Sequence, residues 1–295
     1  MTLQVSGLTN LSFKLNRSLG RTRHIKSFIR GHLSEMHDAT WQFTYAITRR
    51  PSRSVVDGLR AVDTGTPDYE LMLSHHADYV AALREAGAKV TELEPLVDFP
   101  DSLFVEDTAL CLSEGVVFLK PGPPSRFGEV SAIKPVLSDM FKEVRSIKGI
   151  GTIEAGDILV TPREVLVGRS ARTNGSGIAE LREILNDWGY QLREVPVPNG
   201  VLHFKSDCSL LDANTILSTA RLAASNCFED YDVILTAEGE EAAANAIRYN
   251  DDVIMAAGFP KTAKRLKQFG YRIKEINNSE CSKIDGGMSC LSLRF

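Results

Sequence analysis

Long hydrophobic runs are missing from this chain of 295 residues, and no segment approaches the roughly 20 apolar residues that a membrane helix needs. Basic residues are not in excess either, since the formal net charge is -4. Such a charge gives no general reason to expect nucleic-acid binding. The sequence therefore predicts neither a membrane nor a nucleic acid as a partner. The hydrophobic fraction of 43% is ordinary for a protein with a packed core.

Cysteines are few and scattered, and no two of them have a CxxC spacing. An odd set of five argues against a disulfide framework, and the spacing argues against a zinc site. A phosphate-binding loop is missing as well, because Gly286 and Gly287 are not part of a GxGxxG pattern. We therefore expect no metal, no cofactor and a reducing compartment such as the cytoplasm. The cysteines are Cys111, Cys208, Cys227, Cys281 and Cys290.

Acidic residues are absent from residues 1–34, which carry six lysines and arginines before the first acid at Glu35. A mitochondrial transit peptide has this composition, and so does a solvated basic tail. Mitochondrial targeting by residues 1–34 is therefore the alternative to a cytoplasmic location. We divide the chain into a basic N-terminal extension, residues 1–40, and a single domain, residues 41–295.

One unit of a hairpin, a helix and a strand repeats along this domain. The clearest hairpins begin at Asp107, Asp157 and Asp207, with 50 residues between successive starts, and a weaker copy begins at Asn245. In each of them two apolar runs flank a polar turn. Helical periodicity follows most of the hairpins and ends at a glycine, as in residues 178–190.

The fifth unit is split between the two ends of the domain. Its helix and following strand lie in residues 69–95, but its hairpin needs residues 43–49 and 289–295. Pairing those two strands closes a ring, which leaves few exposed sheet edges. The sequence thus predicts an α/β fold, a closed ring of five ββαβ units. His75 and His76 fall on the predicted helix, and we expect them to face solvent.

The hairpin starts of such a ring converge on its axis, and chemically active residues cluster there. Cys290 is placed in the fifth unit as Asp107 is in the first complete one. Glu154 and His203 precede hairpin starts by three and four residues. A cysteine, a base and several acids suit attack on a cationic carbon such as a guanidinium. Stability alone gives no reason to gather them in one place.

Six motifs occur in the order PDSLFVED, KPGPPSR, EAGDILV, GRSARTN, VLHFKS and IDGGMSC. Together they resemble the dimethylarginine dimethylaminohydrolase family, bacterial type, over residues 42–295. The resemblance implies the five-bladed α/β propeller of the guanidine-modifying, or pentein, superfamily. It also implies hydrolysis of Nω-methylated arginines to citrulline and dimethylamine or methylamine, through a covalent S-alkylthiouronium and without a cofactor. Residues 41–295 would then be one catalytic domain.

The resemblance implies a role for each matching residue. Cys290 is the nucleophile, His203 the general acid and base, and Glu154 the acid that orients the histidine. Arg126 and Arg172 clamp the substrate's α-carboxylate. The remaining residues implied to bind the substrate are the carboxylates Asp101, Glu106 and Asp107, the lid-loop residue Leu59, and Ile284.

Plainer interpretations stand beside these roles. Glu154 could be a surface acid at a glycine turn, and Glu106 and Asp107 could pair with an arginine or lysine of the protein. At the level of function, the alternatives are an arginine deiminase, an amidinotransferase, and a catalytically silent propeller that binds arginine derivatives. A conventional Cys-His protease fits least, because the acids suit a cation. A homodimer is compatible with all of these functions.

Overall fold

The structure, a computed structural model, describes residues 40–295. The predicted basic extension therefore lies outside the described residues except for Thr40. Among residues 40–295, no helix is both long and apolar enough to cross a membrane.

Short strands and short helices make up this part of the chain. The strands are β1 (Tyr45–Arg49), β2 (Lys89–Leu93), β3 (Ala109–Cys111), β4 (Val116–Phe118), β5 (Val144–Ser146), β6 (Ile158–Val160), β7 (Val165–Arg169), β8 (Leu192–Pro196), β9 (Cys208–Leu210), β10 (Thr215–Ser218), β11 (Asp232–Leu235), β12 (Ile247–Tyr249), β13 (Asp252–Ala256), β14 (Arg272–Ile276) and β15 (Leu293–Arg294). The helices are α1 (Tyr69–Glu85), α2 (Phe127–Met140), α3 (Gly175–Asp187), α4 (Ala220–Ala223), α5 (Pro260–Gln268) and α6 (Ser279–Ser282).

The strands form five three-stranded sheets in the orders β15-β1-β2, β3-β4-β5, β6-β7-β8, β9-β10-β11 and β12-β13-β14. In every sheet the first strand is antiparallel to the second, and the second is parallel to the third. A helix, α1 to α5 in turn, connects the second strand to the third. The predicted ββαβ repeat and the five-bladed propeller are confirmed.

The split blade closes as the sequence predicts. β15 pairs with β1 in the register Ala46↔Arg294 and Ile47↔Leu293. The carbonyl of Phe295 accepts hydrogen bonds from the backbone N–H groups of Thr44 and Tyr45, at 3.0 and 2.7 Å. The two ends of the described chain are thus held in one sheet.

Burial falls from the middle strand of each blade to its outer strand. β4 and β13 are buried along their whole length, whereas β5 and β14 are partly exposed. The apolar side chains form five clusters, and each cluster joins two neighbouring blades, as Leu110, Ile158 and Leu181 do. Because neighbouring blades share their cores, the turns at the axis have fixed relative positions.

The prediction that His75 and His76 face solvent is wrong. They are 7% and 3% exposed, because α1 packs against β14 and α6 as well as against its own strand β2. Burial lowers the pKa of His76 to about 4, although the charge of Glu92 acts in the opposite direction. His76 is therefore a neutral core residue.

Candidate active site

A single 3-10 turn precedes the first strand of every blade. These turns are Val105–Thr108, Ala155–Asp157, Phe204–Ser206, Glu241–Ala244 and Ser289–Leu291. Side chains hold one turn to the next: the N–H of Gly156 donates to Asp107 Oδ1 at 3.0 Å, and the N–H of Ser289 donates to Asn245 Oδ1 at 2.9 Å. The turns that carry or adjoin Glu154, His203 and Cys290 are thus brought around one axis.

Glu154 and His203 form a buried pair. His203 Nε2 lies 2.6 Å from Glu154 Oε2, and Glu154 is 0% exposed, so it is not a surface acid. The carboxylate is itself oriented, because Glu154 Oε1 accepts a hydrogen bond of 2.8 Å from the N–H of Gly122. A histidine held in this way has a fixed ring orientation, as a positioned acid or base needs.

Burial and the neighbouring charges have opposite effects on the pKa of His203. Burial acts to lower its pKa, but the hydrogen bond to Glu154 and the charges of Asp107 and Asp157 outweigh it and raise the pKa to about 9. The imidazole is therefore protonated at neutral pH and can donate a proton. Glycine at position 156 lets the backbone pass close to the His203 ring, because a Cβ there would lie 2.8 Å from the ring.

Cys290 is 8% exposed and lies in the last of the five turns. Burial raises the pKa of its thiol to about 12, and the charges of Asp107 and Glu106 act in the same direction. The two preceding glycines fit the backbone into a narrow space. A Cβ on Gly287 would lie 2.3 Å from the Asn245 side chain, so this segment is tightly packed.

Asp101, Leu59 and Ile284 lie together at the edge of the site. The N–H of Leu59 donates to Asp101 Oδ1 at 2.9 Å. A Cβ on Gly58 would lie 3.2 Å from Ile284 Cδ1 and 3.3 Å from Asp101 Oδ1. Burial raises the pKa of Asp101 above its ordinary value, against the attraction of Arg126. The predicted lid segment is therefore in contact with a buried carboxyl group.

Arg126 faces protein carboxylates rather than an open pocket. Its Nη1 donates to Asp107 Oδ2 at 2.7 Å, its Nη2 donates to Glu129 Oε2 at 2.8 Å and to the carbonyl of Phe104 at 3.0 Å, and its Nε also bonds Glu129. Burial would raise the pKa of Asp107, but the charge of Arg126 outweighs it and lowers the pKa to about 2. The salt bridge to a protein arginine, the plainer interpretation of Asp107, is thus present.

Glu106 is held at one oxygen and open at the other. Its Oε1 accepts hydrogen bonds from Lys205 Nζ and from Arg294 Nη2, each at 2.6 Å. Its Oε2 is buried and has no hydrogen-bond partner among residues 40–295. A buried carboxylate oxygen is costly to leave unpaired, so Glu106 retains the capacity to accept a further donor. Arg172 lies beside Glu154 instead, with its Nη1 3.6 Å from Glu154 Oε1.

Asp107, Glu154 and His203 offer ligand atoms within 4.8 Å of one another. They do not fit a metal, because Asp107 is paired with Arg126, and Glu154 with His203. A cavity of about 610 Å³ lies among the first strands of the sheets. It is lined by Glu106, Lys205 and Arg294 but not by Cys290 or His203.

The chain is 40% identical over 254 residues to the N(G),N(G)-dimethylarginine dimethylaminohydrolase of Pseudomonas aeruginosa, a match that covers 86% of this chain and 100% of the relative. The chain belongs to the dimethylarginine dimethylaminohydrolase family. The enzyme of the same name from Streptomyces coelicolor is 31% identical over 252 residues, which cover 85% of this chain and 96% of that relative. No protein-family model matches the chain.

Solved structures agree with this family membership. A mutant of the Pseudomonas aeruginosa dimethylarginine dimethylaminohydrolase, complexed with citrulline, superposes with a TM-score of 0.84 at 39% identity, over 86% of this chain and 100% of that one. The N-terminal domain of ArgZ, an arginine dihydrolase from cyanobacteria, has a TM-score of 0.76 at 21% identity, over 85% of this chain and 96% of that domain. The second similarity concerns the fold alone.

The motifs of the dimethylarginine dimethylaminohydrolase family did not single out four residues that the structure places here. Gly156 and Lys205 lie within EAGDILV and VLHFKS, so the motifs themselves held the signal. Glu129 follows Arg126 at the i,i+3 spacing of helical ion pairs. Arg294 has no such signal, because its partner Glu106 is 188 residues away in the chain.

Proposed function

We propose that this protein hydrolyses Nω-methylated arginines, asymmetric dimethylarginine and monomethylarginine, to citrulline and dimethylamine or methylamine. The observation that carries the proposal is the buried His203–Glu154 pair, which is joined to the turn of Cys290 through the turn of Asp107, since that turn contacts both Ala155–Asp157 and Ser289–Leu291. The carboxylates around it support a cationic substrate, since charged groups in such a site need compensation. The names of the relatives support the same substrate class.

The proposed chemistry has two halves. With the guanidinium bound, the Cys290 thiol loses its proton to solvent and the thiolate attacks the guanidinium carbon. The tetrahedral adduct then loses the methylated amine as His203 donates it a proton. This leaves an S-alkylthiouronium and a neutral His203. The histidine then takes a proton from water as the water attacks the same carbon. The C–S bond breaks, citrulline leaves, and the thiol and imidazolium are regenerated.

The proposed substrate contacts follow from the partners that each residue has. Glu106 would accept a guanidinium N–H at its unpaired oxygen, and Asp107 and Asp101 would add negative charge. Arg172 and Arg126 would bind the α-carboxylate. Every nitrogen of the Arg126 guanidinium already donates a hydrogen bond to a protein carboxylate. To bind the α-carboxylate of the substrate, Arg126 would have to give up one of these hydrogen bonds.

Product analysis on two substrates separates the candidate functions. Citrulline and free amine are measured with asymmetric dimethylarginine and with plain arginine in parallel. Dimethylamine and citrulline from the first substrate are expected. Ammonia from arginine would indicate a deiminase, transfer to an added amine acceptor would indicate an amidinotransferase, and binding without turnover would indicate a silent propeller.

Compartment and assembly are separate proposals. The scattered free cysteines support a reducing compartment such as the cytoplasm. Fractionation of cells that express residues 1–295 or 41–295 tests this location against mitochondrial targeting.

The exposed Val233 and Leu235 of the outer strand β11 support a homodimer, and light scattering would show one molecule per particle if that proposal is wrong.

A further inference from the structure

Arg294 holds the backbone on both sides of Cys290. Its Nη1 donates to the carbonyl of Ser289 at 2.9 Å and to the carbonyl of Ser292 at 2.8 Å. The first of these carbonyls immediately precedes Cys290, and the second lies two residues after it. Tyr79 holds the same segment from α1, with its hydroxyl donating to the carbonyl of Met288 at 3.0 Å.

The second nitrogen of the guanidinium reaches a different blade. Arg294 Nη2 donates to Glu106 Oε1 at 2.6 Å, and Lys205 Nζ donates to the same oxygen at 2.6 Å. Lys205 lies two residues after His203. One carboxylate oxygen therefore connects the turn of the nucleophile with the turn of the acid and base, through two cations.

Arg248 is placed as Arg294 is but has different partners. Each is in the first strand of its sheet, β12 or β15, and both line the cavity of about 610 Å³ among the first strands. Arg248 donates to the carbonyls of Leu211 and Asn250, outside the turn of Cys290. The two arginines thus form a matched pair in which only Arg294 contacts the turn that carries the sulfur.

We propose that Arg294 is a positioning residue for the reaction: it fixes the Cys290 turn against Glu106 and, through Glu106, against the turn that carries His203. The proposal rests on the proposed function only in naming Cys290 as the nucleophile. The planar guanidinium is required, because it can place separate N–H groups on the Ser289 carbonyl and on Glu106 at once. The positive charge of Arg294 also favours the thiolate form of Cys290.

Electrostatics agree with this geometry. Burial acts to lower the pKa of Arg294, and the charges of Glu106, Tyr79 and Cys290 raise it above its ordinary value. The interaction with Cys290 is mutual, so removal of Arg294 takes a positive charge from the surroundings of the thiol.

The test compares Arg294→Met and Arg294→Lys with Arg248→Met in the full chain. Turnover of asymmetric dimethylarginine gives kcat and KM. The rate at which iodoacetamide alkylates Cys290, followed by mass spectrometry over a range of pH, reports the thiolate without any substrate. Thermal unfolding of each variant reports the fold.

We expect Arg294→Met to lower kcat by about a hundredfold, the scale of a misplacement of about 1 Å, with a much smaller change in KM. Alkylation of Cys290 should move to higher pH. Arg294→Lys should restore the alkylation profile but not kcat, because one ammonium cannot bridge both partners. Arg248→Met should leave both quantities near their wild-type values.

A kcat of Arg294→Met within about threefold of wild type, less than 1 kcal/mol in barrier, would overturn the proposal, as would an equal loss in Arg248→Met. If Arg294→Met does not fold, Arg294→Lys decides, and full kcat in that variant overturns the role of the guanidinium. Absence of wild-type turnover would count against the proposed function instead, and the alkylation profiles would still test the positioning.

Discussion

At the scale of single residues, Cys290 and His203 both hold a proton at neutral pH. Their pKa values, raised to about 12 and about 9, describe a thiol and an imidazolium, and the charge of Asp107 acts on both groups. The thiol is a weak nucleophile until it ionises. A guanidinium bound next to it would favour the thiolate, since an opposite charge nearby stabilises the charged form. The site would then activate its sulfur only when a cation is bound.

Cys290→Ser should abolish turnover and preserve the fold, because a hydroxyl is nearly isosteric with a thiol but is a far weaker nucleophile without an adjacent base. Citrulline release and thermal unfolding are the measurements, with Cys111→Ser as the control. Mass spectrometry of quenched wild-type enzyme should find the adduct on the peptide that contains Cys290. An adduct on Cys208 or Cys281 would mean that this cysteine, and not Cys290, is the nucleophile.

Asp107→Asn should separate recognition of charge from support of the fold. The substitution breaks the buried ion pair between Asp107 and Arg126, so the free energy of unfolding should fall by about 3 kcal/mol. The loss should not be larger, because Glu129 still compensates the charge of Arg126. In a Cys290→Ser background, the Kd for a methylarginine should rise about 10-fold to 150-fold, the equivalent of roughly 1.5–3 kcal/mol.

Citrulline, which is neutral at the reacting end, is the control ligand, and its Kd should change much less. Calorimetry measures both. Equal losses for the two ligands would show that Asp107 supports the fold and does not sense the substrate's charge.

At the scale of elements, α3 helps to place Glu154. The N–H of Asn174 donates to the carbonyl of Thr152 at 3.0 Å, and the Asn174 side chain caps the helix by accepting from the N–H of Gly177 at 3.0 Å. Gly177 packs directly on Thr152, two residues before Glu154. The N-terminus of α3 is therefore fixed to the segment that carries Glu154.

Gly177→Ala should weaken both stability and turnover. Its Cβ would lie 2.3 Å from the carbonyl oxygen of Thr152, so the segment must shift, at a cost of roughly 1–3 kcal/mol for overpacking. Gly175→Ala, in the same turn, is the control, because its Cβ would come no closer than 3.7 Å to Arg169 and alanine favours a helix. Equal unfolding midpoints for the two variants would contradict this account.

At the scale of the whole molecule, two buried histidines give stability opposite dependences on pH. The pKa of His76 is lowered to about 4, so its contribution is lost as pH falls from about 6.5 through that value. The pKa of His203 is raised to about 9, so its contribution is present below about pH 6.5 and is lost as pH rises through the folded value.

Denaturant unfolding of the wild type, His76→Gln and His203→Gln over a range of pH measures these contributions. Relative to His76→Gln, the wild type should lose on the order of 1–3 kcal/mol towards acid. Relative to His203→Gln, it should lose a similar amount towards alkali. Parallel curves for the wild type and either variant would mean that the histidine concerned does not titrate with folding.

The sequence by itself determined the repeat and the closure of the ring, and it indicated which turns face the axis. Apolar alternation, polar turns and the spacing of Asp107, Asp157 and Asp207 are local signals, and a ring of like units places equivalent positions together. The split blade followed as well, because residues 43–49 and 289–295 were the strands without a partner.

Only the tertiary structure decided which charges meet and which groups are buried. Arg126 pairs with Asp107 inside one blade, although 19 residues separate them. Glu106 pairs with Arg294 from the other end of the chain, because neighbouring blades bring together residues that are far apart in sequence. His76 is buried because a second blade covers α1. The pKa values of Cys290 and His203 depend on desolvation and on charges from several blades. A local sequence pattern cannot predict these values, because the contributing residues are distant in the chain.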